Sequence, residues 1–450
     1  MAYCGRPGVG LAILSFWLAL IWVGAIRPLA SPDEISHLEV VMQVRKQHIL
    51  PEIHYDFSKN PAGEVVGTPA DPETRAYAQS LGFGDPYRLE AHEATQPPLY
   101  YLVAGIAAYL VPPTPILVLY VSRIVAALFG ALMIYFFWAA ARELVPRSPL
   151  WAIGATGVVI LLPQFCFNRA GASNDSAINM VATASFYVWF RGLRDPRYDP
   201  WLVRAGALLG LGVLTKFSAL TLVPGLGLVF LFHVFQGAPG RGAWRAKLQR
   251  ALRMAAGGTG AALAICGWWL VRNALLYGDP TNLQSLMRFN TGKLAVLDFH
   301  DPRVVDNFVQ STWQSFWGVF GWLDILMPPE FYAQVLVISQ VLTGFAGIAL
   351  VIRLVRHLVG RPRITSFAWQ AAAILGVTTG TVLYSDVQFS MTVAFQAQGR
   401  YLFFLLLPGA LVFTGGLYGL VPGRPLKIVA LSLPLLWLAA MNAVALGLIH

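Results

Sequence analysis

Eleven stretches of the chain are apolar over close to the length a helix needs to cross about 30 Å of hydrocarbon. They fall near 9–26, 115–141, 150–167, 176–190, 200–215, 217–235, 254–273, 331–352, 366–385, 400–420 and 428–448. A chain with this many crossings must satisfy its backbone polar groups within each segment, which selects helices. Composition agrees: 56% hydrophobic against 12% charged residues, with mean hydropathy +0.60, lies outside soluble usage. The reading is an all-α polytopic membrane protein forming a single membrane domain over 1–450. The first run follows Arg6 as in a signal peptide, yet no small-residue cleavage site follows it, so it reads as a retained helix. Cys4, Cys166 and Cys266 have no metal spacing and imply neither a disulfide framework nor a cysteine metal site.

The charges orient the helices. Arg6 and five short segments, 142–147, 191–204, 241–253, 353–363 and 424–427, hold 18 of the 32 cations and three acids, Glu143, Asp195 and Asp199. Under the positive-inside rule these are cytoplasmic, placing the N-terminus inside. They also account for the net charge of +10 without nucleic acid. Residues 97–111, apolar but bounded by prolines, read as a juxtamembrane or re-entrant helix. Two large extracytoplasmic loops remain, 27–96 and 274–330. The first carries 11 of the 22 acids and four of the eight histidines, more than a linker needs, and reads as the catalytic loop.

Arg123, Arg169, Lys216, Arg272 and Arg400 stand against this charge rule, at helix ends on the outer side. Any one of them can be a snorkelling side chain. Together beneath acid-rich loops they suit an anionic lipid headgroup, a phosphate or diphosphate. Directly after the first span comes Ser31-Pro32-Asp33-Glu34-Ile35-Ser36-His37. Adjacent carboxylates and a histidine at a helix start suit proton transfer or metal ligation, and equally the capping of a surface helix. Trp313, Trp317, Trp322 and Tyr332 read as an interfacial belt or as sugar-stacking rings, with Asp324 as a hydroxyl ligand. Gly257-Gly258-Thr259-Gly260 reads as a close helix-packing surface.

Pro32-Asp33-Glu34 after the first span resembles the acidic motif in the first extracytoplasmic loop of GT-C glycosyltransferases. Thr95-Gln96-Pro97-Pro98-Leu99-Tyr100-Tyr101 is similar to that superfamily's juxtamembrane helix, Asn174-Asp175 to its polar turn, and Leu214-Thr215-Lys216 to its Thr-Lys turn. Arg272-Asn273, Tyr277-Gly278-Asp279-Pro280, Ser315-Phe316-Trp317-Gly318 and Gln398-Gly399-Arg400-Tyr401-Leu402 resemble a bacterial branch of it. The layout is similar to that of protein O-mannosyltransferases and the lipid A aminoarabinose transferase.

The resemblance implies a GT-C-like fold and an inverting hexosyl or pentosyl transferase in the inner (plasma) membrane. Its donor would be a polyprenyl-phosphate sugar and its acceptor an extracytoplasmic lipid, glycan or protein. It implies Asp33 and Glu34 as catalytic residues, with Asp33 either base or metal ligand. Lys216, Arg272, Arg400, Arg123, Arg169, His37, Tyr100 and Tyr401 would bind substrate or its phosphate. A divalent metal, Mg or Mn, would take ligands from Asp33, His92 and Glu93. The chain departs from the pattern in lacking Asp-x-Asp, with Asp85 and Glu90 isolated. A polymerase or ligase of lipid-linked polysaccharide would share the basic clamp. A lipid-linked-sugar flippase would show inverted repeats and mid-membrane binding groups instead.

Overall fold

A computed structural model describes residues 2–47, 50, 54–56, 64–66, 71–83, 92–195, 199–235, 244–284, 297–360, 365–392 and 395–450. The helices run α1 Ala2–Ala25, α2 Glu34–Gln47, α3 Pro72–Ser80, α4 Leu99–Ala107, α5 Pro115–Leu144, α6 Pro149–Ile160, α7 Pro163–Asn168 and α8 Asp175–Arg194. They continue as α9 Asp199–Val213, α10 Val223–Phe235, α11 Trp244–Tyr277, α12 Pro302–Trp317, α13 Pro329–Leu358, α14 Ser366–Thr392, α15 Leu406–Leu420 and α16 Arg424–Ile449. Two small antiparallel ribbons complete the description: β1 His54–Asp56 with β2 Glu64–Val66, and β3 Val319–Phe320 with β4 Ile325–Leu326.

Eight segments among the described residues are long and apolar enough to cross a membrane: Arg6–Ala25, Pro115–Leu144, Phe217–Phe235, Trp244–Tyr277, Pro329–Leu358, Ser366–Thr392, Gly399–Leu420 and Arg424–Ile449. The other three expected spans are helices of a different kind. The run at 150–167 is broken where Pro163 opens α7 after Leu161 and Leu162, because proline cannot supply the interior helix hydrogen bond. The helix α8 is enclosed by protein, burying Asp175, Ser176, Asn179, Thr183 and Ser185, so it needs no apolar surface. The 200–215 run is a 15-residue helix that ends before Lys216.

Close packing of α9 on α11 rests on small residues. A methyl group added at Gly206 would collide with the Gly258 carbonyl, so the 257–260 run does bring two backbones together. One large core joins α1 and α5–α8 to α15 and α16 through Trp22, Phe137, Val159, Phe165, Phe186, Phe413 and Leu438. A second core seats α2 and α4 on α5 through Ile35, Leu38, Val41, Tyr100, Ala104 and Leu119. The Leu99 amide donates to the Leu214 carbonyl at 2.8 Å, joining the start of α4 to the end of α9. That second core and this link position the polar residues described next.

Candidate active site

After α1 the chain reverses through Leu29 and Asp33, both at φ 62°. Aspartate is among the few side chains that enter this left-handed region readily. The Asp33 carbonyl accepts from the His37 amide at 3.0 Å, starting α2. Glu34 in the first turn and Arg45 and Lys46 in the last complement the helix dipole. Every residue from Glu34 to Val44 is buried, so α2 is not the capped surface helix that its opening residues equally allowed.

Arg400 meets Asp33 from the far end of the sequence. Its Nη2 donates to Asp33 Oδ2 at 2.8 Å, while Nη1 lies 3.5 Å from Asp175 Oδ2. Lys216 donates to the other Asp175 oxygen at 2.7 Å. Both cations lie against the Tyr401 ring, 5.4 Å and 5.7 Å from its centroid. Two carboxylates and two cations thus alternate in one chain of contacts. Burial alone would lower the Lys216 pKa, but the Asp175 carboxylate holds it above its ordinary value. Arg400 owes its place to Gly399, whose Cα packs on the Phe316 backbone so tightly that a methyl group would overlap it. The Gly399 amide also donates to Ser315 Oγ at 2.8 Å.

A second constellation adjoins Asp33. His37 Nδ1 lies 2.9 Å from the Tyr101 hydroxyl, which donates to Glu93 Oε2 at 3.3 Å. Burial depresses the His37 pKa against the upward pull of Glu93, Asp33 and Asp175, which favours a neutral ring.

Other expected site residues are placed elsewhere. Glu34 and Arg123 form a bidentate pair at 2.7 and 2.8 Å with both side chains fully buried. Arg123 also donates to the carbonyls of Ile26 and Arg27, and Glu34 accepts from the Ala172 amide at 2.9 Å. Both departures share one cause: each group is enclosed and already supplied with protein partners. Arg169 departs likewise, fully buried and donating to Ser15 Oγ, the Ile160 carbonyl and Cys166 Sγ. Arg272 stacks on Trp269, its guanidinium 4.9 Å from the ring centroid. The Tyr100 hydroxyl is buried on the Ser122 carbonyl, and Tyr401 donates to Gln396 Oε1 at 2.8 Å. Of the aromatics, Trp317 is buried in the large core, Trp322 donates to the Leu29 carbonyl, and Tyr332 to the Gly318 carbonyl.

Among the described residues no group of three His, Cys, Asp or Glu is arranged to hold a metal ion. Asp33 engages Arg400 and Glu93 engages Tyr101, so the two do not form a common ligand set; the side chain of His92, with Asp85 and Glu90, lies outside the described residues. Asp175 and Tyr101 enter the site although the sequence, which places both within family-like stretches, assigns neither a site role. The signal for Asp175 was the Asn174-Asp175 turn that opens α8, and for Tyr101 its place at the end of the 95–101 stretch.

The bundle, with a polar helix and a short ribbon between its first spans, is the GT-C fold. A similar structure is ArnT from Cupriavidus metallidurans bound to undecaprenyl phosphate, at 15% identity and TM-score 0.52, over 98% of this chain and 71% of that one. Another is the Archaeoglobus fulgidus oligosaccharyltransferase in its apo form, at 13% identity and TM-score 0.51, over 98% of this chain and 56% of that one. At these identities the likeness is one of fold. The chain belongs to the family of predicted membrane proteins DUF2142, whose model matches residues 16–408. No curated protein matches it in sequence.

Proposed function

We propose that the protein transfers a hexosyl or pentosyl group from a polyprenyl-phosphate-linked donor to an acceptor hydroxyl at the extracytoplasmic face of the inner membrane. The acceptor would belong to a cell-envelope lipid, glycan or protein. In this reading the N-terminus is cytoplasmic, and residues 27–96 and 274–330 lie outside. The observation that carries it is the Asp33–Arg400 contact at 2.8 Å with Asp175 and Lys216 alongside: a carboxylate beside two converged cations. The fold shared with a protein bound to undecaprenyl phosphate supports the same chemistry.

The residues act as follows. The donor phosphate takes the Arg400 fork and the Lys216 ammonium, displacing Asp33 from Arg400. The freed carboxylate takes the acceptor proton as the acceptor oxygen attacks the anomeric carbon. The bond from that carbon to the phosphate oxygen breaks, and polyprenyl phosphate leaves with the electron pair. One displacement inverts the configuration, and the cations stabilise charge developing on the phosphate. Asp175 holds Lys216 in place, and His37, neutral, orders Tyr101 and Glu93 behind the turn.

The test is sugar transfer by purified protein in lipid nanodiscs, across a panel of undecaprenyl-phosphate sugars and hydroxyl acceptors, with Asp33→Asn as comparison. Transfer by wild type and a loss of about 10²-fold or more in the variant, with carrier binding retained, is expected. Equal transfer by the two would remove Asp33 from the mechanism, and carrier binding without transfer by wild type would overturn the transferase reading.

A further inference from the structure

We propose that Gln396 and Gln398 form an uncharged subsite that reads the hydroxyl groups of the sugar on the carrier-linked donor, a role that rests on the transferase reading above. The segment from Phe395 to Tyr401 leaves the end of α14 and returns towards α15. It is pinned at its start by the Gln396 amide, which donates to Ser390 Oγ at 3.3 Å. Gln396 Oε1 accepts twice, from Gln398 Nε2 at 3.0 Å and from the Tyr401 hydroxyl at 2.8 Å. Its carbonyl end is therefore fixed, and its amide end has no protein acceptor among the described residues.

Gln398 Oε1 is buried and has no donor among the described residues. A buried amide oxygen without a donor costs free energy, which a ligand hydroxyl placed there would recover. The pair thus offers an acceptor on Gln398 and donors on Gln396, and a sugar hydroxyl both donates and accepts. A bare phosphate, which only accepts, gains nothing from the Gln398 oxygen.

Position decides which hydroxyls these are. The Tyr401 ring lies against both Arg400 and Lys216, while its hydroxyl holds Gln396. A group attached to a phosphate held by these cations is therefore one tyrosine ring from the amide pair. Charge is absent from the pair, so the subsite adds discrimination without competing for the phosphate. Sites built on hydrogen bonds to hydroxyls reject analogues that lack them far more strongly than apolar pockets do.

The experiment measures binding to the full chain in nanodiscs of bare undecaprenyl phosphate, and of undecaprenyl phosphate carrying a hexose, a pentose or a 2-acetamido hexose. For wild type, at least one sugar-bearing carrier is expected to bind about tenfold tighter than the bare carrier. In Gln398→Leu that advantage is expected to disappear while bare-carrier affinity stays within about twofold, which also serves as the check on folding. Gln398→Asn, which keeps the amide one methylene short, is expected to retain part of it. Retention of the full advantage in Gln398→Leu would overturn the subsite and leave the transferase reading standing. Parallel loss of bare-carrier binding in Gln398→Leu and Gln398→Asn would make the pair a structural pin and overturn it too. Wild type that binds no sugar-bearing carrier tighter than the bare one overturns the subsite alone, and wild type that binds no carrier at all overturns both.

Discussion

Asp33 and Glu34 are neighbours in sequence and opposites in use. Each pairs with an arginine from a distant helix at 2.7–2.8 Å. The Glu34 and Arg123 side chains are 0% exposed, whereas Asp33 keeps 30% of its side chain accessible and Arg400 10%. A buried pair whose remaining donors and acceptors are satisfied by backbone holds parts together, here the end of α1, the start of α2 and α5. A pair open on one side can exchange its partner for a ligand. What separates the two pairs at this turn is access, not residue type, and the proposed function rests on the accessible one.

The comparison can be broken most forcefully at its buried half. Glu34→Gln leaves the Arg123 guanidinium without its counter-charge, and a loss of about 3–5 kcal/mol is expected by denaturant or thermal unfolding in detergent. The double replacement Glu34→Leu with Arg123→Met is expected to recover part of it, because no lone charge is left behind although the Ile26 and Arg27 carbonyls and the Ala172 amide lose their partners. If Glu34→Gln unfolds like wild type, the enclosed pair is not a structural staple. At the open half, Arg400→Lys is expected to lower transfer by about 10²-fold with unfolding nearly unchanged, since lysine keeps the charge but not the fork. A fall in stability matching that of Glu34→Gln would erase the distinction between the two pairs.

Protonation gives a smaller effect. His37 titrates below its ordinary 6.5 in the fold because it is buried, so on acidification the unfolded chain takes the proton first. Its contribution to stability is present above 6.5 and is lost as pH falls from there towards the lower folded value. Melting temperature followed from about pH 7 to 5 should show this loss in wild type and a flatter profile in His37→Gln. The smallest effect lies at the edge of the first loop, where Asp71 caps α3 through the Thr74 amide at 3.0 Å and accepts from Lys46. Asp71→Ala should cost about 1 kcal/mol of stability and leave transfer unchanged. A large change in transfer there would mean that the cap reaches the site.

The membrane class and the helices were legible because lipid imposes a long apolar period that few other folds show. The helix α8 was legible as a span at 176–190, but not its enclosure by protein, which only the packing around its buried polar residues shows. The motif pieces around Asp33, Lys216 and Arg400 were visible, but sequence could not tell which cations meet. Arg123 and Arg400 read alike in the sequence as outer-side cations; only packing reveals that the first is sealed on Glu34 and the second faces Asp33. The partners of Tyr101 and Gln398 were harder still, because both lie in family-like stretches whose motif does not say which groups they meet until the hydrogen bonds around them are known.

The left-handed backbone at Asp33 has a consequence for how this position can change over generations. Glutamate, ordinarily the mildest exchange for aspartate, meets two obstacles, since it reaches further and resists this conformation. Asparagine and glycine enter the conformation readily, yet neither could take the acceptor proton that the proposed transfer assigns to this position. The substitutions that the backbone permits are the ones that silence the carboxylate, and the one that keeps the carboxylate is the one the backbone resists. A lineage can therefore lose the chemistry here with its fold intact, but it has no gradual path to another acid at the same place.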